Sequence, residues 1–386
     1  MESFIKDTTP SLYLYDVTSS YFEGEKNELA QFGYNRDGKK GKRQIVVGLL
    51  CNELGEALAT EVFEGNTQDP KTVASQIKKI ADRFGGKEVT FVGDRGMIKS
   101  KQIQDILDHG FHYITAITKP QIEGLIKQGN IQMSLFDQEL AEITIDNGVR
   151  YILRRNPIRA QEMKKSRADK LKYLNEKLAK KNAYLKDHDR ANVEVAKKQI
   201  ETLAKKMKLN WVTIHCSDRL ISVGEDHIMY LESVKLDGCY VLKTDLTEKH
   251  ATKETIHNRY KDLALVETAF RTSKTFHLEL RPIYVRLASR TRGHVFVVML
   301  AYSIVQKLRT YWESLNITVE EGIAQLSTLC SSIVSLPQEV SYQKIAQPTD
   351  TIQSLLKLAQ VELPEVLPSR QAIVATKRKL QSRRKK

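Results

Sequence analysis

Along the first 118 residues, short apolar runs alternate with longer segments in which apolar positions recur every three or four residues. That is the pattern of strands interleaved with helices. Strands are predicted over Leu12–Thr18, Arg43–Cys51, Ala57–Phe63, Glu88–Gly93 and Phe111–Ile117, and helices over Pro70–Phe84 and Lys99–His109. Short polar links join the first three strands, which reads as an antiparallel meander, while helices before the later strands read as parallel crossovers. The expected fold class is α/β, with a mixed five-stranded sheet and flanking helices.

The pattern changes after Lys119. Residues 120–158 read as loop and short strands (AEITIDNGVRYILRRNP), and residues 161–208 are highly charged with helical spacing. Leu171, Leu174, Leu178 and Leu185 make one stripe, and Val193, Ala196, Ile200, Leu203 and Met207 a second; KDHDRAN lies between them. This predicts a helical hairpin. Strand patterning returns in NWVTIHCSD and DGCYVLKTD, so residues 119–252 are read as a β-rich insertion that carries the hairpin. From Lys253 the chain reads as helical: Glu254–Lys274, then His294–Trp312, then shorter helices. The expected organisation is thus 1–118 as the first part of a core, 119–252 as the insertion and 253–312 as core helices. Residues 313–376 are expected to form a helical C-terminal region and 377–386 a basic, disordered tail.

Charge narrows the partners. The 386 residues carry a formal net charge of +14, a field that favours polyanions, nucleic acid above all. Segment 161–208 holds 15 Lys or Arg against 7 Asp or Glu, so over half of the excess sits on the hairpin, as a solvated surface or a phosphate-contacting arm. The four cysteines are far apart, without zinc-site or disulfide spacing, which fits a reducing cytoplasm. The longest apolar stretch, HVFVVMLAYSIV, falls short of the roughly 20 residues a bilayer requires. It is read as a buried core helix, no membrane partner is expected, and no signal peptide opens the sequence.

Three acidic residues carry the candidate chemistry. Asp16 lies in LYLYDVTSSYF, Asp94 ends VTFVGDRGM, and Glu267 lies in the helical stretch YKDLALVETAFRTSK. Taken singly, each aspartate reads equally as a hydrogen-bonded strand-end or turn residue, and the face with Tyr260, Glu267, Arg271 and Lys274 as a salt-bridged surface. Three carboxylates within about 4 Å would repel by roughly 4 kcal/mol per pair at an effective dielectric near 20, which a divalent cation compensates. Gly33–Lys40 (GYNRDGKK) nearly matches a phosphate loop, but Lys40 replaces the hydroxyl that motif requires. A flexible basic loop between the first two strands accounts for it. No H-E-x-x-H or G-x-S-x-G motif is present.

The spacing Tyr260, Leu263, Glu267, Lys274 resembles the Y-(2)-R-(3)-E-(6)-K signature of the DDE transposases of bacterial insertion sequences, the insertion sequence four-type group. YDVTSSYFEG, KRQIVVGLL, FVGDRGM and LELRPIYVR are similar to that group as well, over roughly residues 10–310. Leu263 departs from the pattern where the group has Arg, which leaves a phosphate contact missing or supplied by Arg271 or Arg259. The resemblance implies an RNase H-like core of the retroviral-integrase superfamily, interrupted by an insertion before the glutamate. It implies Asp16, Asp94 and Glu267 as metal ligands, with two Mg²⁺ (Mn²⁺ as a substitute) about 3.5 to 4 Å apart. It further implies Tyr260, Arg271, Lys274 and Arg259 as DNA contacts, a hairpin intermediate, DNA ends and target as partners, a homodimer on paired ends, and a bacterial, nucleoid-associated setting. The group's DNA-binding region ahead of the first aspartate is expected to be truncated or encoded elsewhere. Two alternatives stay open: a transposition-inactive DNA-binding remnant, and an RNase H-like nuclease without strand transfer.

Overall fold

In the computed structural model, β1 (Leu12–Tyr21) and β2 (Gln44–Cys51) are buried along nearly their whole length. Near-continuous apolar runs form strands of this kind, covered on both faces. The structure describes residues 11–39, 41–84, 89–145, 148–275, 278–281, 283–335, 341–364 and 366–367. Lys40, Glu88 and the basic tail 377–386 lie outside them. The chain divides into two compact units, Met1–Phe296 and Val297–Lys386.

In the first unit β3 (Ala57–Glu64), α1 (Asp69–Lys79), β4 (Thr90–Gly93), α2 (Ser100–Asp108) and β5 (His112–Ala116) follow β2. A π-helical turn, Ile80–Phe84, extends α1. β1, β2 and β3 pair antiparallel, whereas β4 pairs parallel to β1 and β5 parallel to β4. Their order, β3-β2-β1-β4-β5, with only β2 reversed, is the RNase H-like arrangement. Gly48 is required here: a Cβ on it would lie 2.3 Å from the Tyr15 hydroxyl oxygen, so the ring of Tyr15 crosses β2 only because that position is bare.

The chain continues through α3 (Lys119–Lys127), β6 (Ala141–Thr144), β7 (Arg150–Arg155), α4 (Pro157–Asp187), α5 (Val193–Lys206), β8 (Val212–Ser217), β9 (Leu220–Glu225), α6 (His227–Val234) and β10 (Cys239–Thr244). The sheet is larger than the five strands expected, because β10, β7 and β6 add to the edge at β5 and make eight. β10 pairs antiparallel with both β5 and β7, so the insertion closes the edge that β5 would otherwise expose. Arg150 locks this extension. It is 3% exposed; its Nε and Nη2 bond Glu142, and its Nη1 donates to the carbonyls of Leu246 and Ala251. The two apolar stripes of the hairpin pack with the ribbon β8–β9 around Leu174, Leu178, Ile200, Trp211 and Ile221. That core is separate from the one over the large sheet.

Two helices come next, α7 (Lys253–Lys261) and α8 (Leu263–Ser273). The expected single helix is broken at Asp262, which caps the end of α7 and the start of α8. α9 (Ala288–Trp312) contains the boundary between the units. It is not a wholly buried helix: Val295, Val298 and Tyr302 are buried, while Val297, Leu300 and Ile304 are exposed. Among the described residues no helix is long and apolar enough to cross a membrane.

The second unit holds α10 (Val319–Leu326), β11 (Ser331–Ser335), β12 (Ser341–Ile345), α11 (Asp350–Leu358) and β13 (Val366–Leu367). It differs from the helical region expected, since β11, β12 and β13 form a sheet. Strands this short carry little periodicity for a sequence to show. Trp312 anchors the unit, its indole N–H donating to the Leu355 carbonyl at 3.0 Å.

Candidate active site

Strand register sets the two aspartates side by side. In the parallel pair β1 and β4, Tyr13 lies opposite Phe91 and Tyr15 opposite Gly93. One residue further on each strand stand Asp16 and Asp94. Side chains at matched positions of neighbouring strands share a face, and strands lie about 4.8 Å apart. Tyr13, Tyr15, Val17 and Phe91 pack against α1 and α2, so alternation turns Asp16 and Asp94 to the opposite face, where α7 and α8 lie. Two hydrogen bonds agree: the Tyr260 hydroxyl donates to Asp94 Oδ1 at 3.2 Å, and Lys274 Nζ donates to Thr18 Oγ1 at 2.8 Å.

Glu267 is exposed on α8, and Asp94 is exposed at the end of β4. Asp16 is largely buried, and its carboxyl is pushed up to about 7. Burial is the main cause; the charges of Asp94 and Glu267 add to it, while the Val17 N–H (2.7 Å from Oδ1) and Arg36 oppose it. Burial and the charge of Asp94 also raise the Tyr260 phenol, so it remains a donor. Asp94 and Glu267 thus both act on Asp16. Among the described residues, however, no three His, Cys, Asp or Glu side chains are gathered closely enough to form a metal-binding cluster.

The basic residues expected around the acids take different places. Lys274 has three N–H donors, and Thr18 Oγ1, the Ser19 carbonyl and Asp37 Oδ1 accept from them at 2.7 to 2.8 Å. Arg271 is exposed. Arg259 lies beside Asp262, where its charge opposes the rise that burial imposes on that carboxyl. Leu263 carries no charge.

A sequence comparison fits this geometry. The family model for the transposase DDE domain matches residues 7–304. The chain belongs to the transposase DDE domain family. No curated protein matches it. Among solved structures, one that is similar is the cryo-EM structure of the piggyBac transposase synaptic complex with hairpin DNA, at 7% identity and a TM-score of 0.39. The match covers 91% of this chain and 52% of that one, so this chain spans about half the length of that structure's chain.

The residues of this DDE-domain chain fit a divalent cation. Carboxylate oxygens are hard ligands suited to Mg²⁺ or Mn²⁺, and at Asp16 the charges of Asp94 and Glu267 add to the rise that burial imposes. Two nearby cations are ion-paired with other acids, Lys274 with Asp37 and Arg36 with Asp69.

Sequence reasoning missed Arg36 and Asp37. The expected flexible loop Gly33–Lys40 is pinned over residues 36 and 37. The Arg36 backbone N–H donates to Ser19 Oγ at 2.9 Å, and its Nη2 donates to both Asp69 oxygens at 2.5 and 2.6 Å. The Asp37 side chain is 5% exposed, with Lys274 at 2.8 Å and Arg281 at 2.9 Å. One acid in a basic, glycine-flanked loop was the available signal, and its partners lie more than 230 residues away.

Proposed function

We propose that this chain is a DNA transposase subunit that cuts DNA at transposon ends and joins it to a target, with Asp16, Asp94 and Glu267 as ligands of two Mg²⁺ ions. The register that sets Asp16 beside Asp94, with Glu267 within electrostatic reach of Asp16, is the observation that carries this reading. When bound, the metal ions would activate water or a 3′-hydroxyl and neutralise the leaving oxygen. Tyr260 orients Asp94 through its hydroxyl. Lys274 acts by positioning, holding the Asp37 loop against β1, while Arg271, exposed one turn beyond Glu267, and Arg259 are left for DNA phosphates. DNA as partner follows from the family and from the net charge of +14. A homodimer on paired ends, and the insertion and core boundaries at 118, 252 and 312, are part of the same proposal.

The test compares Asp16→Ala, Asp94→Ala and Glu267→Ala with the parent chain. One assay follows plasmid nicking in Mg²⁺ or Mn²⁺, and another follows DNA binding in EDTA. Each variant should lose roughly a hundredfold or more of its cutting, as several kcal/mol of charge stabilisation disappear, while binding stays within about twofold, since these acids make no phosphate contact. A variant that still cuts removes its residue from the site. Cutting without joining to a target plasmid would favour a hydrolytic nuclease; binding without any cutting would favour a remnant.

A further inference from the structure

Beside the carboxylates lies a cavity of about 500 Å³ that the proposed chemistry does not use. Its walls include the loop residues Tyr34 and Arg36, the start of α1 at Gln68 and Asp69, and Lys99 at the start of α2. A Cβ on Gly96, another lining residue, would lie 3.7 Å from Asp94 Oδ2 and 4.0 Å from Asp69 Oδ2. The cavity is therefore next to the proposed site of cutting.

Three features of the wall suit one kind of ligand. Arg36 is oriented on several sides. Its backbone is tied to Ser19, its Nη2 to Asp69, and its guanidinium carbon lies 5.6 Å from the centre of the Tyr34 ring. Among the described residues nothing accepts from its Nε or Nη1, so three N–H groups of an immobilised arginine remain for an anion. Lys99 adds a second cation, and since Asp69 is matched by Arg36, the wall keeps a net positive charge. The starts of α1 and α2 add positive dipole ends. The third feature is Gln44, which is 1% exposed and lines the cavity. Its Nε2 donates to the carbonyls of Tyr34 and Gly65, which fixes the amide's orientation, and its buried Oε1 has no partner among the described residues. A buried acceptor of this kind calls for a donor, and a bare anion has none to offer.

We propose that this cavity binds one nucleotide unit of the DNA strand beside the phosphate held at the carboxylates, with its phosphate on Arg36 and Lys99 and a base or sugar donor on Gln44 Oε1. This rests on the reading that the carboxylates cut DNA. It makes Arg36 a positioning residue that brings the strand to Asp94, a task Leu263 cannot perform.

The experiment measures binding of the full chain to a fluorescein-labelled duplex by anisotropy, in EDTA, from 0.05 to 0.4 M NaCl. Cutting then does not enter the readout. Each phosphate contact contributes about 0.9 to the slope of log K against log salt, which amounts to about eightfold in affinity at 0.1 M salt. Arg36→Gln and Lys99→Gln should each lower the slope by about one and weaken binding about eightfold. Because Arg36→Gln also strips Asp69 of its partner, Thr67→Glu provides an independent probe: it puts a carboxylate on the same wall with the Arg36–Asp69 pair intact, and it should weaken binding too. Parent-like slopes and affinities in all three variants would overturn the proposal and leave the carboxylate assignments standing. If the slopes change as expected while Asp94→Ala still cuts, the cavity holds DNA and the carboxylate reading fails instead.

Discussion

Replacing Asp16 with Asn removes a charge and keeps the acceptor, since the amide oxygen can still receive the Val17 N–H that now reaches Oδ1 at 2.7 Å. The carboxyl stands at about 7 in the folded chain against 3.8 for an ordinary aspartate. At about 1.4 kcal/mol per unit, ionised Asp16 destabilises the fold by up to about 4 kcal/mol, and solvent at its partly exposed surface screens this to roughly 2 kcal/mol. The sign follows from a folded-state value above the unfolded one. Below the unfolded value the group is protonated in both states and costs nothing; stability is lost as pH rises towards 7, and the full cost is present at pH 8. Asp16→Asn should therefore be the more stable chain at pH 8 in EDTA. For a denaturant slope near 3 kcal/mol per M, its urea midpoint should rise by about 0.7 M. The gain should shrink as pH falls through 7 and vanish near pH 4. Mg²⁺ at pH 8 should raise the midpoint of the parent chain more than that of the variant, because the ion relieves only the charged form. Equal midpoints at pH 8, or a difference that stays constant between pH 5 and pH 8, would refute the electrostatic account of this site.

Four further substitutions probe how the site and the sheet that carries it are held. Lys274→Met leaves the Thr18, Ser19 and Asp37 acceptors short of a donor and should cost about 3 kcal/mol in urea unfolding, as a broken buried pair does. Arg271→Ala, at an exposed position, should stay within about 0.5 kcal/mol. Gly48→Ala drives a methyl against Tyr15 and should cost roughly 1 to 3 kcal/mol; Tyr15→Phe in the same chain should recover part of that loss in a double-mutant cycle. Arg150→Met strands Glu142 and two carbonyls and should cost about 3 to 5 kcal/mol, with hydrogen exchange rising first along β6 and β7.

The five leading strands were legible because their signals are local. QIVVGLLC is apolar after its first residue and becomes β2, buried at every position, and LYLYDVTSSY is buried at every position except Asp16 and Tyr21. Pairing is less local. Nothing in CYVLKT states that it will lie between β5 and β7, 112 to 155 residues into the chain, and so the eight-stranded sheet was read as five strands plus an insertion. The break at Asp262 was hidden for a related reason. Seven residues are almost two helical turns, so the spacing of Tyr260, Glu267 and Lys274 looks the same whether one helix or two carry it.

The acids and the parts that serve them were therefore unequally visible. Asp16 and Asp94 end apolar runs, and their alignment needs only the register of one parallel strand pair. Arg36, Asp37 and Asp69 acquire meaning only after β1 and β2 have paired and α8 has docked, because Asp37 meets Lys274 across 237 positions of chain. Their consequence is mechanical as well as electrostatic. The Asp37 carboxylate ties the loop to the residue that ends α8, and α8 carries Glu267, so displacement of that loop is transmitted to the third carboxylate through a single ion pair. A site assembled this way links the cavity wall that carries Arg36 to the acids. A strand seated in the cavity would bear on the loop, and through Lys274 on the placement of Glu267 relative to Asp16 and Asp94.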